Sequence, residues 1–391
     1  MPNLKVVNPD MQEYDEKIKK HRMRIVTIAI AIVVAVVAIA GIIYIINKEM
    51  QFGGYNVNSS YENIENSSAK YFDFKGNILK CSNDGISYYN KNNGAIWTQA
   101  YEMQEPMVDI CGDYVVEADR LGSEIYIQNS ASTVGKIDIS MKIEKIKVSA
   151  NGNIMAIVAD NETKYLKYYN LQGELIAEGK IQMKKSGYAV DYDLSDDGKK
   201  LVVSYLYVSN GIVKTNIVFY NFDTVGQNEI DNIVSSYSYD DTVVPEVEFF
   251  GNDRIIAFGD RKVYIFEGTQ KTQLKTEIEV ESEIKSVFYN DTYFGLITKN
   301  EDDEYAHKAL CYKLNGSKAA EFGFSVAYDD VQFANDNIVM NSENNIAIFK
   351  LNGNCRYEGT LEDTILKIIP TTSTRKYVFI TQSAIENITM Y

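Results

Sequence analysis

Histidine, proline and tryptophan are scarce in this chain of 391 residues, which holds two, five and one of them. The two histidines, His21 and His307, lie far apart in sequence. No multi-histidine metal centre is therefore expected, and a Ser/His/Asp arrangement would depend wholly on His307, in an expected loop without a nucleophile-elbow sequence. The four cysteines, Cys81, Cys111, Cys311 and Cys355, have spacings that fit no zinc or haem pattern. Each sits in or beside an apolar, strand-like segment, where cysteine behaves as a small hydrophobe. Buried free thiols are the expectation, with one or two disulfides as the alternative. Basic patches are missing and the net charge is −15, which argues against nucleic-acid binding. No long amphipathic helix is visible, so an α/β enzyme fold is not expected.

One run lacks charge altogether: Ile25 to Ile46, twenty-two residues. At about 1.5 Å per residue it spans the roughly 30 Å hydrocarbon layer of a bilayer. Lys17, Lys19, Lys20, Arg22 and Arg24 crowd its front edge, and Lys48 alone follows within twenty residues. The positive-inside rule then keeps residues 1–24 in the cytoplasm and exports the rest. A cleaved signal peptide is the competing reading, because Ala38-Ile39-Ala40 has the small-x-small look of a cleavage site. The apolar run continues well past that point and its leader is long, so an uncleaved signal-anchor is preferred. The expected layout is a cytoplasmic tail (1–24), a transmembrane helix (25–46), a short linker with a candidate closing strand (47–66) and an extracytoplasmic domain (67–391). Asp15/Lys19 and Glu16/Lys20 support one or two helical turns before the membrane. Residues 1–24 carry six basic and four acidic residues, hence +2, which leaves −17 on residues 25–391. A bias toward Asn, Ile, Lys and Tyr suggests a low-GC Gram-positive source.

The exported part repeats. Short apolar strands meet at one recurring kind of turn: Lys75-Gly76-Asn77, Gly112-Asp113, Asn151-Gly152-Asn153, Asp196-Asp197-Gly198, Gly251-Asn252-Asp253, Asn290-Asp291, Asn335-Asp336 and, less typically, Ser373-Thr374. The intervals run from about 36 to 54 residues, the four-strand-per-blade period of a β-propeller. An alternating strand precedes each turn, as in Lys145-Ile146-Lys147-Val148 or Glu246-Val247-Glu248-Phe249. A continuous apolar run follows it, as in Ile154 to Ala159. That sequence of patterns reads as an inner strand with one polar face and then a central strand covered on both faces. Second turns such as Asn92-Asn93-Gly94 and Asn352-Gly353 lead to a more polar outer strand. The expected fold is all-β: a propeller of about eight four-stranded blades, with seven as the alternative. The last blade lacks an outer strand, which Gly54-Tyr55-Asn56-Val57-Asn58 is able to supply.

Leu194-Ser195-Asp196-Asp197-Gly198-Lys199-Lys200-Leu201 resembles the Ser-Pro-Asp-Gly-Lys turn of bacterial propellers, with Asp196 in place of proline. Asn90-Lys91-Asn92-Asn93-Gly94-Ala95-Ile96-Trp97 resembles the Thr-Gly-x-x-x-Trp unit of quinoprotein-like propellers. Tyr169 to Gly173 and Lys350 to Gly353 keep its turn without the Trp. With the short tail and single span, the chain resembles a clostridial family of single-pass membrane proteins with an exported quinoprotein-like (PQQ/WD40-type) propeller. That family has no known activity, so the resemblance implies a fold and a topology only.

No catalytic, cofactor-binding or metal-binding residue stands out. Glu301-Asp302-Asp303-Glu304 lacks EF-hand spacing and reads as a solvated hairpin tip. Asp191 and Asp193 alternate along a strand, while Asp196-Asp197-Gly198 is turn chemistry. A quinone cofactor would need a calcium ion and a catalytic acid in the channel, and no such set is supplied. Twenty-nine tyrosines suit a binding surface, or simply β-propensity. The expected function is a non-catalytic binding or scaffold module of the cell envelope, similar to propeller scaffolds of envelope assembly, with an envelope protein or wall glycan as partner. The alternative is an envelope glycan hydrolase or lyase using paired carboxylates at the channel.

Overall fold

The computed structural model describes residues 11–49, 51–63, 69–181, 187–301 and 304–391. It divides into two units, residues 1–52 and 53–391. Among the described residues the first holds one helix, Met11–Glu49, so the charged stretch before Ile25 is helical for more than the one or two turns expected. Its apolar side chains, Val33, Val34 and Val37 among them, are exposed. The helix is long and apolar enough to cross a membrane. That length and composition suit a membrane anchor or a signal sequence. Met50 and residues 64–66 of the expected linker lie outside the described residues.

In the second unit, six of the eight recurring turns use residues that tolerate positive φ, the exceptions being those at Asn290-Asp291 and Ser373-Thr374. Lys75 and Gly76 (φ 53° and 72°), Gly112 (58°), Gly152 (85°), Gly198 (65°), Gly251 (72°) and Asn335 (56°) all adopt it. Each of the eight turns joins the first strand of a sheet to its second, and among the described residues there are eight four-stranded sheets. Blades 1 to 7 cover residues 70–100, 106–138, 142–181, 188–239, 246–279, 284–324 and 330–360, each an antiparallel meander. Blade 8 takes three strands from residues 365–390 and its outer strand from Tyr55–Glu62. Eight blades, not seven, close the ring.

Blade faces account for the core. In blade 4, Leu201 and Val203, with Tyr192 and Leu194 of the same blade, pack toward blade 3 against Met155 and Ile157. Val202, between them, packs toward blade 5 against Val247, Phe249 and Ile255. Successive side chains on a strand point to opposite faces, so a strand buried on both sides must be apolar without alternation. Each such Val, Leu or Ile contributes roughly 1.5–3 kcal/mol by leaving water. Outer strands such as Gln273–Glu279 alternate exposed and half-buried positions instead.

The closing strand runs antiparallel to the last strand, from Tyr55 opposite Met390 to Glu62 opposite Ala384. Asn58 donates to Thr389 Oγ1 at 2.8 Å, and Gly53 N donates to Tyr391 O at 2.7 Å. Asn387 donates both to Ser59 Oγ (3.0 Å) and to Lys91 O of blade 1 (2.7 Å), linking the closed blade to its neighbour.

The four cysteines are free thiols. Cys81 donates to Glu117 Oε1 at 3.3 Å, in the interface between blades 1 and 2. Glu117 is fully buried and its Oε2 has no hydrogen-bond partner. Burial raises its carboxyl to about 8, against a smaller lowering by the thiol. The folded state therefore holds this proton more tightly than the unfolded chain does. The resulting stability is complete below the ordinary glutamate value and is lost as pH rises toward 8.

Two outcomes follow from these features. Deleting Tyr55–Glu62 bares the edge of the last strand, so the variant is expected to melt at lower temperature and to self-associate in size-exclusion chromatography. Relative to Glu117→Gln, the native chain is expected to lose roughly 1.4 kcal/mol per pH unit between the two carboxyl values. Parallel urea midpoints across pH 5–9 would refute that assignment.

Candidate functional site in the central channel

The first strands of neighbouring blades approach one another around the axis. Each pairs on one edge only, so its other edge presents backbone N–H groups that need acceptors. The channel side chains supply them across blade boundaries. Asp109 of blade 2 accepts Val148 N of blade 3 at 2.7 Å. Asp191 and Asp193 of blade 4 accept Val247 N and Phe249 N of blade 5 at 2.9 and 2.8 Å. Gln332 of blade 7 reverses the polarity and donates to Ile368 O of blade 8 at 2.7 Å.

One ammonium group ties these contacts together. Lys147 Nζ of blade 3 lies 3.6 Å from Asp109, 3.2 Å from Asp193 and 3.9 Å from Glu248 of blade 5. The Lys147 side chain is 24% exposed and that of Asp193 is 9% exposed. Each aspartate offers one oxygen to Lys147 and the other to a backbone N–H. Burial disfavours the lysine charge, but Asp193, Asp109 and Glu248 outweigh it and hold the ammonium well above the ordinary lysine value. Burial raises Asp193 to about 6, with Lys147 and the Phe249 amide pulling the other way. Glu248 is pushed up by burial and then by Asp193.

The remaining candidates stay apart from this cluster. Asp197 accepts Ser195 Oγ (2.7 Å) and Lys199 N (3.1 Å), which is turn chemistry. It also receives Asn151 on its carbonyl (2.8 Å) and gives its own N–H to Asn252 (2.8 Å), so the turns of blades 3, 4 and 5 are linked. His307 is the first residue of a strand, His307–Lys313, not part of a loop. Its ring lies against Phe324 and Tyr328, and its Nδ1 is buried without a partner. In the acidic run, Asp302 and Asp303 lie outside the described residues, and Glu301 accepts Ser282 Oγ at 3.1 Å. Among the described residues no group of three or more His, Cys, Asp or Glu is arranged to hold a metal ion.

Two features escaped sequence reasoning. Trp97 of blade 1 donates its indole N–H to Asn129 O of blade 2 at 3.0 Å. In the outer strand of blade 4, Tyr237 makes a comparable bond to Thr272 O of blade 5 at 3.2 Å. A tyrosine thus performs this docking where the tryptophan motif is absent. The second feature is a hairpin in blade 4, Lys200–Ser209 paired with Ile212–Asn221. Its outer neighbour pairs only as far as Thr215, and the tip carries Val208 (70% exposed), Ile212 (53%) and Val213 (44%). Asn210-Gly211 at the tip, with φ of 53° and 77°, was the available signal.

Eight meander blades, an outer strand donated from the N-terminal side and side-chain staples across the channel define an eight-bladed β-propeller. The chain belongs to a family of unknown function (DUF5711), whose model matches residues 47–390. Among solved structures, BamB from Moraxella catarrhalis is similar with a TM-score of 0.50 and 11% identity, over 86% of this chain and 99% of its own. Sqt1 from Chaetomium thermophilum is similar with a TM-score of 0.55 and 8% identity, over 88% of this chain and 99% of its own. At such identities the likeness concerns the fold alone. A search of curated proteins finds no match.

Replacing Lys147 by Met strands its carboxylates in the channel. The expected cost is about 3 kcal/mol at pH 7.5. It should shrink at pH 5, as the carboxyls take up protons. Urea midpoints at the two pH values test this, and an unchanged midpoint at pH 7.5 would remove Lys147 from its linking role.

Proposed function

We propose that this protein is a membrane-anchored extracytoplasmic propeller that binds an envelope partner without catalysing a reaction. The observation that carries this reading is the exposed apolar hairpin tip of blade 4. Isolated apolar surface residues are ordinary, but three on one projecting tip suit a protein interface. Val208 and Val213 stand opposite each other and so share one face, while Ile212 and Tyr207 share the other. A partner protein is able to grip both sides. The proposed topology keeps residues 1–24 in the cytoplasm, spans the membrane with residues 25–46 and exports the propeller, on the strength of the basic flank before Ile25.

The channel chemistry supports the same reading. A glycan hydrolase needs one carboxyl able to donate a proton and a second as nucleophile or base. Asp109 and Asp193 each have both oxygens engaged, and Glu248 faces the same ammonium. These groups join blades to one another.

A photo-crosslinking residue at Val208, with one at the exposed Leu175 of an outer strand as reference, tests the proposal in intact cells. Val208 is expected to yield one dominant protein adduct and Leu175 none. Equal or absent adducts at both positions, in several growth states, would refute the hairpin as a docking element.

A further inference from the structure

A concavity lies beside the first strands of blades 3 and 4, about 210 Å³ in volume, and three of its lining side chains are cationic: Arg120, Lys145 and Lys164. Glu144 is its one acidic lining residue, and Leu121, Ile157, Tyr188 and Ala189 complete it. The lining therefore carries three positive charges and one negative, +2, in a chain whose net charge is −15. Two further carboxylates, Glu105 on Arg120 and Asp191 near Lys145, lie just outside the lining.

The three cations are held differently. Lys164 pairs with Glu144 and its ammonium lies 4.4 Å from the centre of the Tyr188 ring. Arg120 reaches out of the pocket to Glu105 at 2.8 Å, both side chains being more than half exposed. Lys145 forms no ion pair among the described residues and donates to the backbone carbonyl of Val190. Burial lowers it from the ordinary lysine value; Asp191 opposes that, and Lys147 and Arg120 add to it. Asp191 gives an oxygen to Val247 N.

The backbone of both lining first strands carries a bulge, as do the first strands of blades 6 and 8. The ladder of blade 3 shifts register between Ile143 and Lys145, leaving Glu144 unpaired in the ladder. That of blade 4 shifts between Ala189 and Asp191, leaving Val190 unpaired and its carbonyl toward Lys145. In blades 3 and 4 the bulges fall at the cavity and place Glu144 and the Val190 carbonyl beside Lys164 and Lys145. The rim adds a strained residue. Leu121 is 58% exposed at φ 66°, held by its N–H on Ile143 O at 2.7 Å. A branched residue rarely adopts that conformation unless its surroundings require it.

We infer that this pocket binds a small oxyanion, a carboxylate or phosphate group, with Lys145 as its main charge partner and Arg120 at the mouth. Ligand pockets for drug-sized molecules begin near 300 Å³, so this one suits a single acidic group or a short acidic fragment. The ring of Tyr188 offers a face for the apolar part of such a fragment. This site is separate from the hairpin contact, and neither needs the other.

Equilibrium dialysis of the full-length chain in neutral detergent, with radiolabelled inorganic phosphate in one arm and radiolabelled acetate in the other, tests the site. Saturable binding of one equivalent is expected in at least one arm, and the arm that binds more tightly identifies the chemical source. Lys145→Met should weaken it about tenfold or more, and Arg120→Gln by a smaller factor. Both variants are expected to keep the native melting profile, since neither lysine nor arginine here closes a buried ion pair. Lack of saturable binding in either arm below about 10 mM would overturn the inference. So would binding that Lys145→Met leaves unchanged while its melting profile stays native.

Discussion

Closure is the constraint on which this propeller depends. A blade has no core of its own, because its apolar second strand is covered only when blades stand on both sides of it. The packing of Leu201 and Val203 toward blade 3, and of Val202 toward blade 5, shows the arrangement within three consecutive residues. An open ring would leave one face bare at each end. The outer strand at Tyr55–Glu62 removes that gap by completing blade 8 from the other end of the chain.

Within the closed ring, contacts at the channel serve the same end. Inner strands have an unpaired edge, and aspartates of one blade accept N–H groups of the next. Lys147 gathers carboxylates from blades 2, 4 and 5 around a residue of blade 3, so four consecutive blades share one charge. The opposite half of the ring uses separate pairs, such as Lys367 with Asp330 at 2.7 Å and Ser286 with Tyr328 at 2.8 Å. Charge in the channel is thus distributed unevenly around the axis.

Much of this fold was legible in the sequence because its signals are local. Six of the eight recurring turns use residues that tolerate positive φ, and Gly76, Gly112, Gly152, Gly198, Gly251 and Asn335 announce theirs individually. A central strand buried on both faces announces itself by unbroken apolar character. The channel cluster was not legible. Asp109, Lys147, Asp193 and Glu248 each fall about one blade apart and look like ordinary polar positions on alternating strands. Their association exists only once the ring brings those strands to the axis. The cationic pocket is hidden for the same reason, and its two bulges shift register without any glycine or proline to mark them. The role of Tyr237 was hidden differently, since one hydrogen-bonding aromatic stands in for another.

The strand that completes blade 8 also sets an order of events. Its contacts with the last strand span 331 positions of sequence, as from Asn58 to Thr389. At roughly 5–20 residues per second of synthesis, this strand, the first among the described residues, waits on the order of 20–60 s for its partner. Throughout that interval it is an unpaired edge in company with growing sheets. Asn56, Asn58, Ser59 and Ser60 make it a poor template for early, wrong pairing. The segment that finishes the ring is therefore also the one that must remain unattached longest, and its polarity is a property of the nascent chain as much as of the finished protein.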